Sequence, residues 1–171
     1  MRRAVLADTG PLYAAVDPHD AHHKQAIAEL RKLAREKREV VVAYPTLLEA
    51  YTMVLHRLGR NTASDWLNDM ADAALVNPTP EDYRQAISRI GALAGQPITL
   101  FDATAAALAT RLGLEVWTYD HHFDVMRVSV WRGMATPGGT TTLLAPCPQS
   151  RTSKRSVQPA RMARGSGASA C

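Results

Sequence analysis

Hydrophobic and polar positions follow two alternating patterns along the first 132 residues. Continuous or β-branched apolar runs predict strands at 4–7, 40–44, 75–77, 115–120 and 128–131. Apolar residues three and four apart predict helices at 20–38, 45–59, 62–74, 79–95 and 100–113, with Asp20 and Thr79 as N-caps. Pro11 favours a short helix that ends at Val16. Strands that alternate with helices indicate an α/β fold, in which helices cover both faces of a parallel sheet.

The last 38 residues have a different composition. Of residues 134–171, 18 are Gly, Pro, Ser or Thr, and they show no apolar periodicity. Such a segment buries too little apolar surface to offset the entropy lost on ordering it. The sequence therefore predicts one folded domain over residues 1–133 and a low-complexity, disordered tail over 134–171.

The formal net charge of +4 is divided unevenly along the chain. Residues 1–124 carry 13 Lys and Arg against 16 Asp and Glu, whereas residues 125–171 carry 7 Lys and Arg and no acid. The basic end is suited to contact with nucleic acid, and a solvated extension has the same composition. The basic character of the chain is thus a property of its end.

The remaining composition excludes several classes of protein. With 46% hydrophobic residues and no apolar run near the length of about 18 that spans a bilayer, the chain is typical of a globular protein outside the membrane. The N-terminus lacks the long apolar stretch of a secretory signal. Cys147 and Cys171 provide no disulfide framework, so the expected location is the reducing cytoplasm.

Four acidic residues lie beside apolar segments at predicted ends of strands or starts of helices. They are Asp8 in LADTGPLYA, Glu49 in TLLEAYTMV, Asp102 in FDATAAALA and Asp120 in TYDHHFD. In a parallel α/β sheet the carboxyl ends of the strands share one edge, where ligands bind. Asp8 and Asp120 end strands, and the helices that begin at this edge can bring Glu49 and Asp102 towards them.

The chemistry of such a cluster points to a metal ion. Neighbouring carboxylates repel one another and resist ionisation, and a divalent cation removes that penalty. All-oxygen ligation suits Mg²⁺ or Mn²⁺ better than zinc. These ions activate water and stabilise charge in phosphodiester cleavage. The four acids therefore predict a magnesium or manganese site with nuclease chemistry.

Each acid also has a structural interpretation. Glu49 and Asp102 each follow a threonine by three residues, which is the spacing of a capping box. Asp8 can begin an Asx-type turn, and Asp120 can terminate a strand. The position of all four at element ends on one edge favours a shared site over four separate caps.

Two further residues are candidates for a supporting role. Thr118 precedes Asp120 by two residues, so strand alternation puts both side chains on one face, where the hydroxyl can orient a metal ligand or a water. Asp124 is a possible fifth acid, with a surface position on a helix as the alternative. The histidines at 19, 22, 23, 121 and 122 are predicted to lie at the surface or to cap helices, since no cysteine lies nearby to complete a zinc site.

The four acidic motifs, in this order and spacing, resemble those of the PIN domain and, more narrowly, those of the toxin ribonucleases of the VapBC toxin–antitoxin class. The resemblance covers about residues 3–132. It implies a three-layer α/β/α fold with a central parallel sheet. It also implies a Mg²⁺- or Mn²⁺-dependent endoribonuclease that acts on structured RNA such as tRNA or rRNA.

The same resemblance assigns roles and partners. Asp8, Glu49, Asp102 and Asp120 would be the catalytic, metal-binding acids, and Thr118 matches the hydroxyl residue before the last acid. A homodimer is implied, together with a small antitoxin protein that inhibits the nuclease by occupying its active-site groove. The tail departs from the family pattern, because these toxins usually end near the last strand.

Three other functions share part of these signals. The sequence DTG at residues 8–10 occurs in aspartic proteases, but the alternating helices do not suit an all-β protease. A phosphatase of the haloacid dehalogenase type needs a second Asp two residues after the first, and this chain has Gly10 there. A PIN-like module that binds RNA or protein without cutting is the third alternative. The presence of all four acids counts against it.

Overall fold

A computed structural model of the protein describes residues 4–133. Four strands form one sheet: β1 (Ala4–Ala7), β2 (Glu39–Ala43), β3 (Ala74–Val76) and β4 (Glu115–Trp117). The described part also contains seven helices: α1 (Thr9–Val16), α2 (His23–Arg35), α3 (Tyr44–Leu58), α4 (Arg60–Asp69), α5 (Pro80–Ala92), α6 (Leu100–Leu112) and α7 (His122–Val125).

The sheet is parallel, with strand order β3-β2-β1-β4. Leu6 in β1 is paired with Val41 of β2 on one side and with Val116 of β4 on the other. Beyond the last pair, the Asp8 backbone N–H donates to the carbonyl oxygen of Trp117 at 3.0 Å. All four strands therefore end at the same edge, which confirms the predicted parallel α/β fold.

Helices cover both faces of the sheet because successive residues of β1 point to opposite sides. Val5 and Ala7 pack in a core cluster with residues of α1, α2, α3 and α4. Leu6 packs in a second cluster with residues of α5, α6 and the segment around Phe123. The predicted three-layer α/β/α arrangement is confirmed.

Helix α6 is the most deeply packed helix and it positions one of the four acids. All residues from Ala103 to Ala109 are buried, and most of them are alanines that allow close approach to the sheet and to α5. The N-cap of α6 is Thr99, whose side chain accepts from the Asp102 backbone N–H. Gly113 ends the helix in the left-handed region, with φ +65°, as a glycine readily does.

Several predicted boundaries are wrong in detail. Helix α2 begins at His23, because Asp20 accepts the His22 backbone N–H in a preceding turn rather than capping the helix. The predicted last strand at 128–131 is a single bridge between Val116 and Val130. Strand β4 ends at Trp117, so the two predicted site residues that follow it lie in a turn. The predicted Thr79 cap and the helix end at Gly59 are confirmed.

No helix in residues 4–133 combines the length and the apolar character needed to cross a membrane. The tail predicted for 134–171 lies outside the described residues, so its disorder and the domain boundary at 133 stay predictions.

Candidate active site

A pocket of about 390 Å³ lies at the carboxyl edge of the sheet, and all four predicted acids line it. We refer to it as the acidic pocket. Helix α3 contributes Glu49, Met53 and Arg57, which are spaced four residues apart and therefore share one face. The other lining residues are Asp8, Thr9, Gly10, Tyr13, Asp20, His22, Asp102, Tyr119 and Asp120.

Asp8 occupies the centre of the hydrogen-bond network at this edge. As the N-cap of α1, it accepts the Thr9 backbone N–H on Oδ1 at 2.8 Å. Its Oδ2 accepts the Thr118 hydroxyl at 2.7 Å. Asp8 therefore caps α1 and also lines the pocket at the edge where the site was predicted.

The electrostatic environment disfavours a charge on Asp8. Burial raises the pKa of its carboxyl from 3.8 to about 6, and the hydrogen bonds from Thr118 and Thr9 only partly oppose that shift. The negative charges of Asp102 and Glu49 raise the pKa further. An acid that is costly to ionise beside other acids is the environment that a cation would relieve.

Glu49 does not cap its own helix, so that structural interpretation is wrong. Helix α3 begins at Tyr44, and its N-cap Ala43 makes no side-chain cap bond. The Glu49 carboxylate instead accepts the Thr9 hydroxyl, forty residues earlier in the chain. This bond couples α3 to the residue that follows Asp8.

Asp102 has the structural role proposed for it and also lines the pocket. Its Oδ2 accepts the Thr99 backbone N–H at 3.0 Å and the Thr99 hydroxyl at 2.6 Å, which completes a capping box. Its carboxylate contributes to the raised pKa of Asp8, so the two groups interact across the pocket.

Asp120 is held by the short helix that follows it. Its Oδ1 accepts the His122 backbone N–H at 2.9 Å, and the His122 Nδ1 lies 3.0 Å from Oδ2. Burial raises the pKa of Asp120, but the His122 hydrogen bonds and the charges of His122 and His121 outweigh it and hold the pKa below its usual value. Asp120 is therefore poised as an anion.

Thr118 connects two of the acids by hydrogen bonds. Its hydroxyl donates to Asp8 and accepts the Asp120 backbone N–H at 2.9 Å. Asp124 is placed differently: Arg132 Nη2 donates to its two oxygens at 2.8 and 2.6 Å, and it is not among the residues that line the pocket. Its position on a surface helix matches the alternative interpretation.

The carboxylates share a pocket without forming a tight cluster. Within residues 4–133, the group of potential ligand atoms that lie within 4.8 Å of one another consists of Asp120, His121 and His122. The all-oxygen donor set around Asp8 nevertheless fits a hard divalent cation, because each carboxylate retains lone pairs beyond its present hydrogen bonds.

Sequence reasoning missed several residues of this pocket. Arg57 follows Glu49 by two helical turns, a spacing that could have indicated it. Thr9 is adjacent to Asp8, but its partner Glu49 is distant in the chain. His22 and Tyr119 come together only through the fold, and no local pattern predicts that contact.

Comparisons with known proteins agree with this architecture. A sequence model of the PIN domain matches residues 5–128. No curated protein sequence matches the chain significantly.

Solved structures show the same fold at low sequence identity. VapC20 of Mycobacterium tuberculosis, a Sarcin-Ricin loop cleaving toxin, has a TM-score of 0.65 and 20% identity, over 75% of this chain and 98% of that one. VapBC2 of Rickettsia felis, bound to a DNA fragment from their promoter, has a TM-score of 0.60 and 14% identity, over 74% and 96%.

PAE2754 of Pyrobaculum aerophilum has a TM-score of 0.53 and 25% identity, over 76% of this chain and 90% of that one. The match to the family covers most of the described residues and includes Asp8, Glu49, Asp102 and Asp120. The chain therefore belongs to the PIN domain family.

Proposed function

We propose that this protein is a metal-dependent endoribonuclease and the toxin component of a type II toxin–antitoxin system, which cleaves structured RNA such as tRNA or rRNA in the cytoplasm. The convergence of Asp8, Glu49, Asp102 and Asp120 on one pocket carries the proposal. The pKa of Asp8, raised to about 6, adds an electrostatic reason for a bound cation. VapC20, which is similar in fold, is itself a Sarcin-Ricin loop cleaving toxin.

The proposed cofactor is Mg²⁺ or Mn²⁺, held by the same four carboxylates. When bound, such a cation supplies Lewis acidity that activates water and offsets charge on the phosphate. The chain's own residues orient the ligands: Thr118 and Thr9 fix Asp8, and His122 fixes Asp120. Hydrogen bonds of this kind raise the affinity for the metal ion, because the carboxylates lose fewer rotamers when they bind it.

Arg57 is the one Arg or Lys among the residues that line the acidic pocket. Its guanidinium lies 5.3 Å from the centroid of the Tyr13 ring, and Tyr13 also donates to Asp17 at 2.7 Å. We propose that Arg57 binds a backbone phosphate of the RNA next to the one held at the acids, because a guanidinium can form two parallel hydrogen bonds with a phosphate.

A second copy of the chain is the proposed partner for an apolar surface on α3, α5 and α6. Its exposed large residues are Tyr44, Leu48, Tyr83, Ile87, Leu100 and Phe101. Three of them, Tyr83, Leu100 and Phe101, surround a small cavity of about 200 Å³ next to Pro45. Exposed apolar surface of this kind is typical of protein interfaces.

The proposed antitoxin would occupy the acidic pocket. Five carboxylates line it against one guanidinium, so a basic side chain of an inhibitor is electrostatically complementary to it. The pairing of toxin with antitoxin in VapBC2, which has the same fold, supports a protein partner of this kind.

Metal removal and restoration test the proposed function. The full chain is incubated with structured RNA in EDTA, and then with MgCl₂ or MnCl₂ in excess. We expect cleavage only with the added cation, because without it the carboxylates repel the phosphate. Cleavage that persists in EDTA would contradict the metal requirement. Metal-independent RNA binding without cleavage would favour the non-cutting module.

Replacement of Thr118 by Val is expected to lower metal-dependent RNA cleavage by about 10- to 100-fold, as for loss of a hydrogen bond to a charged group. Valine keeps the shape but removes the hydroxyl that contacts Asp8 and Asp120. The pKa of Asp8 should rise further, since that hydroxyl opposes its increase. Initial cleavage rates and the carboxyl NMR titration of Asp8 would measure both effects.

Thr104→Val is a matched control for Thr118→Val. Thr104 is also buried, but its hydroxyl has no hydrogen-bond partner in the described structure. We expect wild-type cleavage from this variant. Equal rates for the Thr118 and Thr104 variants would remove Thr118 from the site.

A further inference from the structure

Glu29, a buried carboxylate on α2, contacts a residue that lines the acidic pocket. Its side chain is 3% exposed, and Oε2 accepts Trp117 Nε1 at 2.7 Å and the Tyr119 hydroxyl at 2.8 Å. Its Oε1 accepts Gln25 Nε2 at 3.0 Å. No Lys, Arg or His of residues 4–133 pairs with Glu29. A carboxylate buried without a cation is costly, so these neutral donors are needed to satisfy it.

The bond from Tyr119 to Glu29 fixes a flat ring at the wall of the pocket. Tyr119 lies in the chain between Thr118 and Asp120, which both belong to the site. The Tyr119 hydroxyl donates to Glu29 at 2.8 Å, and this bond sets the orientation of the ring. A Cβ placed on Gly10 would lie 4.0 Å from Tyr119 Cδ2, so the ring also borders the start of α1.

The imidazole of His22 is stacked on the Tyr119 ring. The ring centroids are 4.6 Å apart and the planes are inclined by 24°. His22 is exposed, and although it is the N-cap residue of α2 it makes no side-chain cap hydrogen bond. The neighbouring His23 has a structural role, with its Nδ1 2.7 Å from the Ala14 carbonyl oxygen. In the described structure the His22 ring has no comparable structural role.

We propose that the His22–Tyr119 pair is a stacking platform for an unpaired nucleobase beside the cleaved phosphate, with Glu29 as its positioning residue. This inference rests on the proposed RNA-cleaving function. Both rings line the same pocket as the four acids, so a nucleotide with its phosphate at the acids has its base within reach of the rings. Proteins commonly read unstacked RNA bases by stacking them on aromatic side chains.

RNA is favoured over a protein side chain as the occupant because the platform shares a pocket with the carboxylates that carry the proposed phosphate chemistry. A base and its phosphate belong to one nucleotide, so a single ligand satisfies both parts. The aromatic wall also offers a flat apolar surface that a phosphate alone does not use.

Fluorescence anisotropy of two labelled RNA decamers tests the platform. One is oligoadenylate, and the other has the same ribose–phosphate backbone without bases. Binding is measured in MgCl₂ with full-length Asp8→Asn protein, in which cleavage is expected to be abolished. We expect oligoadenylate to bind about tenfold more tightly than the abasic decamer, as base stacking predicts.

Three variants in that background separate stacking from general damage. His22→Ala should lower the affinity for oligoadenylate by about tenfold and leave the abasic decamer unchanged. His19→Ala is the matched control, because His19 is also exposed but does not line the pocket. Tyr119→Phe keeps the ring but loses the Glu29 bond, and it should weaken oligoadenylate binding by a smaller factor. Thermal melts would confirm that each variant is folded.

Glu29→Gln gives the conservative rescue. Glutamine keeps an oxygen that can accept from Tyr119, so base preference should survive in this variant, whereas Glu29→Leu, which lacks an acceptor, should reduce it about as much as Tyr119→Phe does. Equal affinity for both decamers of the Asp8→Asn protein, with His22, Tyr119 and Glu29 unchanged, would overturn the proposal. An equal loss for both decamers after His22→Ala would also overturn it, since that result indicates a phosphate contact.

RNA affinity that is unchanged by His22→Ala would overturn the proposal in favour of a protein occupant. Cleavage of structured RNA by the chain with Asp8 intact is measured in parallel. Metal-dependent cleavage without base preference would defeat the platform alone. Base preference without cleavage would support the platform and defeat the nuclease.

Discussion

Replacement of Asp8 by Asn is expected to abolish RNA cleavage and, at the same time, to stabilise the metal-free fold. Asparagine removes the negative charge but can still accept the Thr9 backbone N–H, and the Thr118 hydroxyl can rotate to accept from the new amide. The fold is therefore preserved. Loss of metal-assisted charge stabilisation, worth several kcal/mol, corresponds to a rate decrease of about 10³-fold or more.

The gain in stability follows from the pKa of Asp8. Burial raises that pKa from 3.8 in the unfolded chain to about 6 in the folded one. A carboxyl with a raised folded pKa contributes stability that is fully present below pH 3.8 and is lost as the pH rises through 6. The loss amounts to about 3 kcal/mol, and Asp8→Asn avoids it at pH 7.5.

Urea denaturation of the metal-free proteins at pH 4 and pH 7.5 measures this difference, and initial cleavage rates in MnCl₂ measure the catalytic loss. Asp65→Asn is the matched control, because Asp65 is exposed on α4 and does not line the acidic pocket. We expect no change in either measurement for the control. Cleavage retained by Asp8→Asn would refute the catalytic assignment, and a variant less stable than wild type at pH 7.5 would refute the electrostatic argument.

The fold could be predicted from the sequence because its strands are short apolar runs between amphipathic helices. The parallel arrangement then follows from alternation, and it brings the strand ends to one edge whatever the exact boundaries are. This is why Asp8 and Asp120 were expected at one edge, with Thr118 on the same face as Asp120. The 2.7 Å hydrogen bond from Thr118 to Asp8 spans 110 residues of sequence. The exact end of β4 was missed, because the Thr118–Asp120 turn has the same apolar context as the strand before it.

The site was harder to predict wherever two residues have the same local motif. Asp82 and Asp102 each follow a threonine by three residues, and both complete a capping box in the structure. Asp102 lines the acidic pocket, whereas Asp82 is fully buried against Arg111. Only the tertiary neighbour separates the two roles, and no local pattern contains that information. The Glu29–Tyr119 contact was missed for the same reason.

Asp82→Ala is expected to produce a large loss of stability, because Asp82 is a buried charge in the helices that cover the second face. The Asp82 carboxylate is buried, and it accepts Arg111 Nε at 2.9 and 3.0 Å and the Thr79 backbone N–H at 2.7 Å. Removing one partner of a buried ion pair costs about 3–5 kcal/mol, and the half-exposed Arg111 places this case near the lower value. The corresponding decrease in Tm is about 10 °C.

The pH dependence gives the same prediction a second test. Burial raises the pKa of Asp82, but the bonds from Arg111 and Thr79 outweigh it and hold the pKa below its usual value of 3.8. A lowered folded pKa means that the stabilisation is present above pH 3.8 and is lost as the pH falls through the folded value. The difference between wild type and Asp82→Ala should therefore be greatest near neutral pH and decrease in acid.

Glu81→Ala is the matched control, one residue away on the same helix. Glu81 pairs with Arg84, and both side chains are largely exposed, so its removal should cost about 0.5 kcal/mol or less. Thermal melts of both variants and of the wild type at pH 7 and pH 3 measure the two losses of stability and their pH dependence. Because Asp82 belongs to the fold and not to the pocket, Asp82→Ala should keep metal-dependent cleavage below its melting temperature. Loss of cleavage in a folded variant would contradict the purely structural role of Asp82. A Tm equal to that of Glu81→Ala would contradict its role in stabilising the fold.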